Sequence, residues 1–408
     1  MSIKTGRKLG FWAAISMLIG SVVGIGIFFK NGSISKMTNG NGATWLMAWI
    51  IGGVLALSLA ISFSEIGTFK KESKTEGLAK WCSAVGGKKY GYFAQFQFSF
   101  FYTGLFVFVL GFFASEATLQ GIVVAGLMNQ YTVPIWGHAL IGIGITTILV
   151  ILNIISTKVS GIFQQITVVL KFIPLIMAAL IGIIMSTTHN AIGTNANYPL
   201  LGTNAFGHGS FDAKAIVVAL PAVLFAYDGF LNVATMQKKV KNGEKQIPKI
   251  LFIGMIMVII INSMISLASI LHSAPSVDEL FSDTFKKTAS KVITIIVYVF
   301  ICISAWGVVN GYAAGFWTSM EQATQTNLFF GMKTIKKKKS EFFVTLLYSF
   351  LIIAFWACIL LIPSIILKTD SLIDSFSNWP TFFIFAILAI TILFYTIKKE
   401  KNANNKNE

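Results

Sequence analysis

Polar positions cut this chain into long apolar runs separated by short polar segments. Ten runs reach spanning length, at about residues 9–29, 43–66, 90–115, 134–155, 162–186, 214–236, 250–272, 289–318, 342–367 and 379–397. A helix needs about 20 apolar residues to cross the hydrocarbon core. Each run is apolar around its whole circumference rather than along one stripe, which separates it from a helix floating on a water-soluble core. Backbone groups in hydrocarbon must be satisfied within their own segment, so the runs predict an all-α bundle of ten membrane helices. Between the second and third runs, Gly67 to Tyr90 is too polar to span. A short helix around Leu78 and Trp81, or a mobile loop, would fit it. The Asn/Lys-rich tail, 398–408, reads as disordered.

Composition agrees with this reading. Of the residues, 55% are hydrophobic and 12% charged, where a soluble domain carries about a quarter charged residues. The net charge of +16 could suggest a nucleic-acid partner, but the lysines gather in short loops between apolar runs, and that placement rejects it. The three cysteines lie in apolar runs (Cys302, Cys358) or in the segment after the second run (Cys82), which describes free thiols rather than a disulfide scaffold. The first run is too long for the apolar core of a cleaved signal peptide and is read as the first span.

The basic residues also orient the bundle. With the N-terminus placed in the cytoplasm, 24 of the 32 lysines and arginines fall on the inner side and seven on the outer side, with Lys171 alone inside a run. That asymmetry puts both termini inside the cell, in a multi-pass protein of the cytoplasmic membrane. Trp45, Trp136 and Trp379 fall at outer boundaries, where an aromatic belt is expected.

Two spans carry interruptions. Span one reads Gly20-Ser-Val-Val-Gly-Ile-Gly-Ile-Phe28, and span six holds Pro221 followed by Phe225-Ala-Tyr-Asp-Gly-Phe230. Glycine inside a helix costs about 1 kcal/mol relative to alanine, and proline removes a backbone donor. Small residues for close helix packing are one explanation. The other is a binding site. The interruptions occupy corresponding positions in two five-span halves, about 9–187 and 214–397, and an odd number of spans makes the second half enter inverted. Matched interruptions of that kind mark a midplane site, because non-helical backbone at that depth must line a cavity or protein. A half-helix beginning after Gly24 to Gly26 presents free amides and a positive dipole end to a carboxylate. Carbonyls released in span six suit an ammonium, so the pair is matched to the backbone of an amino acid.

At these residues the sequence resembles the amino acid–polyamine–organocation superfamily, and within it the bacterial L-type amino-acid exchangers. Four further segments carry the resemblance: Ser64-Glu-Ile-Gly67, Ser115-Glu-Ala-Thr118, Phe225-Ala-Tyr-Asp-Gly229, and Val240-Lys-Asn-Gly-Glu-Lys-Gln-Ile-Pro248. The resemblance implies a LeuT-like five-plus-five inverted repeat. It also implies alternating-access transport, with carboxylate contacts at Ile25 and Gly26 and with Gly24 among the substrate-binding residues. Ammonium contacts are implied at the carbonyls of Val22, Phe225, Ala226 and Asp228, with Phe225 as the gate. Many relatives have twelve spans where this chain has ten. Relatives commonly carry a Ser-Arg pair after span eight, where this chain reads Thr318-Ser-Met-Glu321.

Lys171 lies mid-run, where an unpaired charge costs several kcal/mol and is functional by default. In resembling transporters a lysine on span five stands in the region of a sodium site, which implies sodium-independent exchange or proton-coupled uptake. An ion pair or a snorkelling chain is the alternative. Asp228 could select cations, take part in proton coupling, or cap the helix break through nearby amides. Glu65 and Glu116, near span ends, read as solvated or capping.

The four histidines show no metal-ligand spacing, the glycines of span one lack the strand of a dinucleotide fold, and no phosphate-loop lysine motif appears. No metal or cofactor is implied. The sequence thus points to a secondary transporter of amino acids, with a polyamine or organic-cation carrier of the same fold as the alternative. A membrane enzyme lacks a catalytic cluster, and a receptor or channel would show no coupled transport. Ser304, Asn310 and Tyr312 are candidate polar contacts on span eight.

Overall fold

The apolar runs fold as helices close to their expected bounds, and the two interrupted runs are the two that come out short. The computed structural model describes residues 8–23, 26–67, 77–129, 133–188, 206, 211–235, 240–272, 280 and 290–404. Among these residues, eight helices are long and apolar enough to cross a membrane, and the two shorter apolar helices are Phe11–Val22 and Ala213–Tyr227. Span one stops at Val22, Val23 is extended (φ −79°, ψ 119°), and helical turns resume over Gly26–Lys30 and Asn31–Met37. Span six stops at Tyr227 and resumes over Phe230–Thr235. Pro221 lies inside the first half of span six without ending it; the break falls at Asp228 and Gly229.

The other spans are Gly42–Gly67 (two), Thr103–Val124 with the turns before it (three), Ile135–Ile155 (four), Thr157–Thr188 (five), Gly243–Leu271 (seven), Ser290–Thr326 (eight), Glu341–Leu367 (nine) and Asn378–Asn404 (ten). Span three is entered by a helix beginning at Gly77, which bends at Gly87, where a positive φ of 87° suits glycine. A widened π-turn then runs over Gln97–Tyr102. Leu78 and Trp81 are buried, so this stretch is a packed helix and not a mobile loop. The Tyr90 hydroxyl donates to the Ile387 carbonyl at 2.9 Å, and the Cys82 thiol lies 3.2 Å from the Thr391 hydroxyl, joining the entry helix to span ten.

The tail departs from expectation in a similar way. Span ten stays helical to Asn404, because each residue added to a formed helix gains a hydrogen bond without a new nucleation cost. Lys398 Nζ also reaches the Ala84 carbonyl at 2.7 Å.

Burial sorts the spans. In span three 89% of the apolar window is buried, against 28% in span nine, so span three is central and span nine faces lipid on most of its surface. Ile148, Val217, Phe350 and Ile366 stand exposed as the apolar coat a bilayer requires. Trp136 and Trp379 are half exposed, as belt residues would be, but Trp45 is fully buried. It and Trp49 each donate a ring N–H to Asn31 Oδ1 at 3.2 Å, so Trp45 is a core residue. Its position at a run boundary does not reveal which face it occupies.

The two breaks pack on each other. A Cβ on Gly26 would lie 2.7 Å from Ala226 Cα, one on Gly229 would lie 2.6 Å from the Ser21 carbonyl oxygen, and one on Gly311 would lie 2.8 Å from Ser21 Cβ. The Ser21 hydroxyl donates to the Gly229 carbonyl at 3.1 Å. Spans one, six and eight thus meet at Ser21 at backbone distance. Gly229→Ala is expected to destabilise the protein by about 1–3 kcal/mol through overpacking against backbone. Gly144→Ala, with nothing within 4 Å of its Cβ, should be neutral; thermal midpoints of the two variants in detergent check the contrast.

Candidate functional site

Lys171 is fully buried on span five, and its Nζ donates to the Gly20 carbonyl at 3.0 Å and the Val23 carbonyl at 2.5 Å. These lie at the C-terminal end of the first half of span one, where helix carbonyls lose their partners and the dipole is negative. The lysine neither snorkels nor forms an ion pair with a described carboxylate. Its amino group is fixed on the backbone of the break.

The break in span six is held from the other side. Tyr102, the last residue of the π-turn in span three, donates its hydroxyl to the Asp228 carbonyl at 3.0 Å. Tyr312 of span eight donates to Asp228 Oδ1 at 2.5 Å, and Thr381 of span ten to Oδ2 at 2.5 Å. The Asp228 carboxylate is therefore turned toward hydroxyls of spans eight and ten rather than onto amides of its own break. These hydroxyl contacts tie spans three, six, eight and ten together.

Phe225 is buried and packs edge-to-face on Phe106, with ring centroids 5.5 Å apart. Phe106 packs in the same way on Tyr312 at 5.3 Å. Above the Phe225 ring, at 5.0 Å from its centroid, stands the Lys30 ammonium. It also pairs with Asp374 Oδ1 at 2.6 Å and donates to the Ser377 hydroxyl at 2.9 Å. Lys30 is 1% exposed. This arrangement bolts the restarted half of span one to the short helix Ser371–Phe376 that leads into span ten. It lies at the end of the bundle opposite Leu9.

Toward the Leu9 end, a second network crosses spans four, five and eight. Ser160 donates to Asn153 Oδ1 at 2.6 Å, Asn153 Nδ2 to Asn310 Oδ1 at 3.0 Å, and Asn310 Nδ2 to Gln164 Oε1 at 2.6 Å. Gln164 Nε2 would lie 1.7 Å from a Cβ on Gly20, so the network abuts span one directly. At this end Lys241 N donates to the Leu9 carbonyl at 2.8 Å, and Leu9 and Val240 form an isolated parallel bridge.

Of the residues singled out from sequence, Val22, Gly26, Phe225, Ala226 and Asp228 come together around the paired breaks, with Lys171 against the adjacent carbonyls. Gly24 and Ile25 lie outside the described residues. Tyr312 belongs to this group, whereas Asn310 belongs to the network nearer Leu9, and the Ser304 hydroxyl is buried without a partner. Among the described residues no group of histidine, cysteine or acidic side chains is placed to hold a metal. Sequence reasoning missed Tyr102, Thr381, Lys30 and Asp374. Tyr102 and Thr381 are single polar groups in apolar runs, and Lys30 and Asp374 look like ordinary loop charges until span ten is packed on span one.

The comparisons agree with this architecture. The family model described as amino acid permease matches residues 9–406. The serine/threonine exchanger SteT of Bacillus subtilis is 28% identical over 97% of this chain and 85% of its own length. The b(0,+)-type amino acid transporter 1 of Homo sapiens is 24% identical over 75% of this chain and 60% of its own. Among solved structures, MhsT in complex with L-phenylalanine superposes with a TM-score of 0.60 at 14% identity, covering 94% of this chain and 89% of that one. The nucleobase-cation-symport-1 family transporter Mhp1 gives 0.59 at 12% identity, covering 95% and 78%. The fold is therefore LeuT-like, with ten membrane helices of which the first and sixth are broken.

Asp374→Ala should leave the Lys30 ammonium inside the protein without its counter-ion, at a cost of about 1–3 kcal/mol given that Asp374 is itself half exposed. In a Lys30→Met background the same substitution should cost much less. A double-mutant cycle on thermal midpoints reads the coupling.

Proposed function

The chain belongs to the amino acid permease family and is a multi-pass secondary transporter of amino acids, and from that premise we propose sodium-independent exchange of small neutral amino acids by alternating access. The observation that carries the mode is Lys171. Its ammonium occupies the Gly20 and Val23 carbonyls, which are the acceptors that a dehydrated monovalent cation would need at the break. A cation supplied by the chain removes the need for one from solution. The same isolated ammonium, with no described carboxylate beside it, favours proton-coupled uptake as the second mode.

For substrate binding, we assign the carboxylate to Gly24, Ile25 and Gly26 and the ammonium to the carbonyls of Val22, Phe225, Ala226 and Asp228, beneath Phe225 as gate. Gly26 and Ala226 are in contact, which supports a single pocket shared by the two breaks. The substrate class follows the similarity to the serine/threonine exchanger over nearly the whole chain. A polyamine carrier would need Asp228 open to a cation, and both its carboxylate oxygens are engaged by hydroxyls. The orientation proposed is a cytoplasmic Leu9 end with both termini inside the cell, in the cytoplasmic membrane. The Lys30–Asp374 pair then closes the outer side.

Proteoliposomes preloaded with unlabelled L-serine or left empty should take up radiolabelled L-serine and L-threonine only when preloaded, and equally well with sodium or choline outside. Uptake into empty vesicles driven by an inward proton gradient would assign the second mode, and a strict sodium requirement would overturn the role given to Lys171. Lys171→Met is expected to lower exchange at least tenfold, since it strands two buried carbonyls at the break.

A further inference from the structure

The turn between spans eight and nine carries a patch of positive charge that the site described so far does not use. Five of the seven residues from Lys333 to Lys339 are lysines. One acid answers them: Glu341 pairs with Lys336 at 2.8 Å, and Lys336 Nζ also donates to the Thr324 carbonyl at 3.0 Å. Lys339 stands over the Phe343 ring, 5.6 Å from its centroid. Lys333, Lys337 and Lys338 are exposed, with neither a carboxylate nor a ring as partner among the described residues. Like charges this close repel one another unless a counter-charge is supplied.

The lysines are carried on a fixed frame. The chain leaves span eight through Asn327 and Gly331, both in the left-handed region with φ of 52° and 81°, and enters the short helix Met332–Lys336. Met332 is buried, Phe329 stacks on Tyr348 with ring centroids 5.9 Å apart, and the Tyr348 hydroxyl donates to the Phe330 carbonyl. Ser340 caps span nine by accepting from the Phe343 amide at 3.2 Å. Lys333 and Lys337, four residues apart, share one face of the helical stretch, while Lys336 turns inward onto Thr324. With Phe329 and Met332 taken up by packing, Phe330 between them has its side chain fully exposed. Phe342, also exposed, begins the lipid-facing surface of span nine. An exposed ring therefore stands on either side of the lysines, where apolar helix gives way to polar turn.

We propose that this turn binds the headgroups of anionic phospholipids, with Lys333, Lys337 and Lys338 donating to phosphate oxygens and Phe330 and Phe342 entering the acyl boundary. A soluble anion would meet the lysines and leave Phe330 in water. A neutral lipid would cover Phe330 and leave the charges uncompensated. An anionic lipid satisfies both. The frame matters because it presents ammonium groups and rings together, which a loose basic loop would not.

The test exchanges Lys337 and Lys338 together for glutamine. Its control is Lys88→Gln with Lys89→Gln, an exposed lysine pair at the bend of the entry helix that gives the same change in charge. Protein in detergent is titrated with phosphatidylglycerol, phosphatidylcholine or inorganic phosphate, and the thermal midpoint is read. Phosphatidylglycerol should raise the parent's midpoint at lower concentration than phosphatidylcholine, inorganic phosphate should not move it, and added salt should weaken the response. The Lys337→Gln, Lys338→Gln variant should need about tenfold to thirtyfold more phosphatidylglycerol for the same shift, and the Lys88, Lys89 control should behave as the parent. Lys333→Gln alone should need about fivefold more, and it keeps the test open if the double variant fails to fold. An equal loss in the control would mean that net charge rather than this turn draws the lipid, and the assignment falls. It falls as well if phosphatidylcholine acts equally, or if inorganic phosphate alone reproduces the shift, which would make the patch a site for a soluble anion.

Discussion

Every part of the central site depends on one constraint, which is that backbone polar groups freed inside a membrane must be satisfied by protein. Two helices break at mid-depth, and each break is satisfied by side chains from other spans. Lys171 takes the carbonyls of Gly20 and Val23, while Tyr102 takes that of Asp228. The hydroxyls of Tyr312 and Thr381 then fix the Asp228 carboxylate, so the second break is anchored by backbone and side chain together. Because the partners come from spans three, five, eight and ten, the irregular segments are also the points where most of the bundle is joined. Glycines 26, 229 and 311 make that possible by letting three backbones approach without Cβ atoms between them.

The two ends of the bundle flanking these breaks are joined by different contacts. At one end Lys30 sits buried over Phe225 and paired to Asp374. At the other, the Asn153–Ser160–Asn310–Gln164 network holds spans four, five and eight together against Gly20. The two sets of contacts differ in chemistry. The first is ionic, with one partner half exposed to solvent, and is open to competition from water. The second consists of neutral amides and hydroxyls in the interior, where separating the partners strands polar groups.

Much of the fold was legible because lipid imposes a simple rule on sequence. Ten apolar runs became ten spans, and the glycines of span one and the Asp-Gly of span six marked the breaks. Lys171 stood out as a lone charge in an apolar run, although nothing in its neighbours announced that it would bind carbonyls rather than a carboxylate. What stayed hidden depends on which way a face points. Trp45 and Trp136 occupy similar run boundaries, yet one is core and the other half exposed. Tyr102 and Thr381 are polar residues in apolar runs, and a hydropathy pattern does not tell an inward hydroxyl from one resting against lipid. The length of span ten is hidden for another reason, since an Asn/Lys-rich tail looks disordered unless the helix behind it is already formed.

The bridge between Leu9 and Val240 has a mechanical consequence. It couples the start of span one to the loop that follows span six through a backbone hydrogen bond, independent of side-chain identity. A displacement of the first half of span one therefore drags the segment after span six along, like two arms pinned to one crank. Among the described residues of these two spans, Val23 on one arm and Asp228-Gly229 on the other are free of regular helix, and such a movement would turn there.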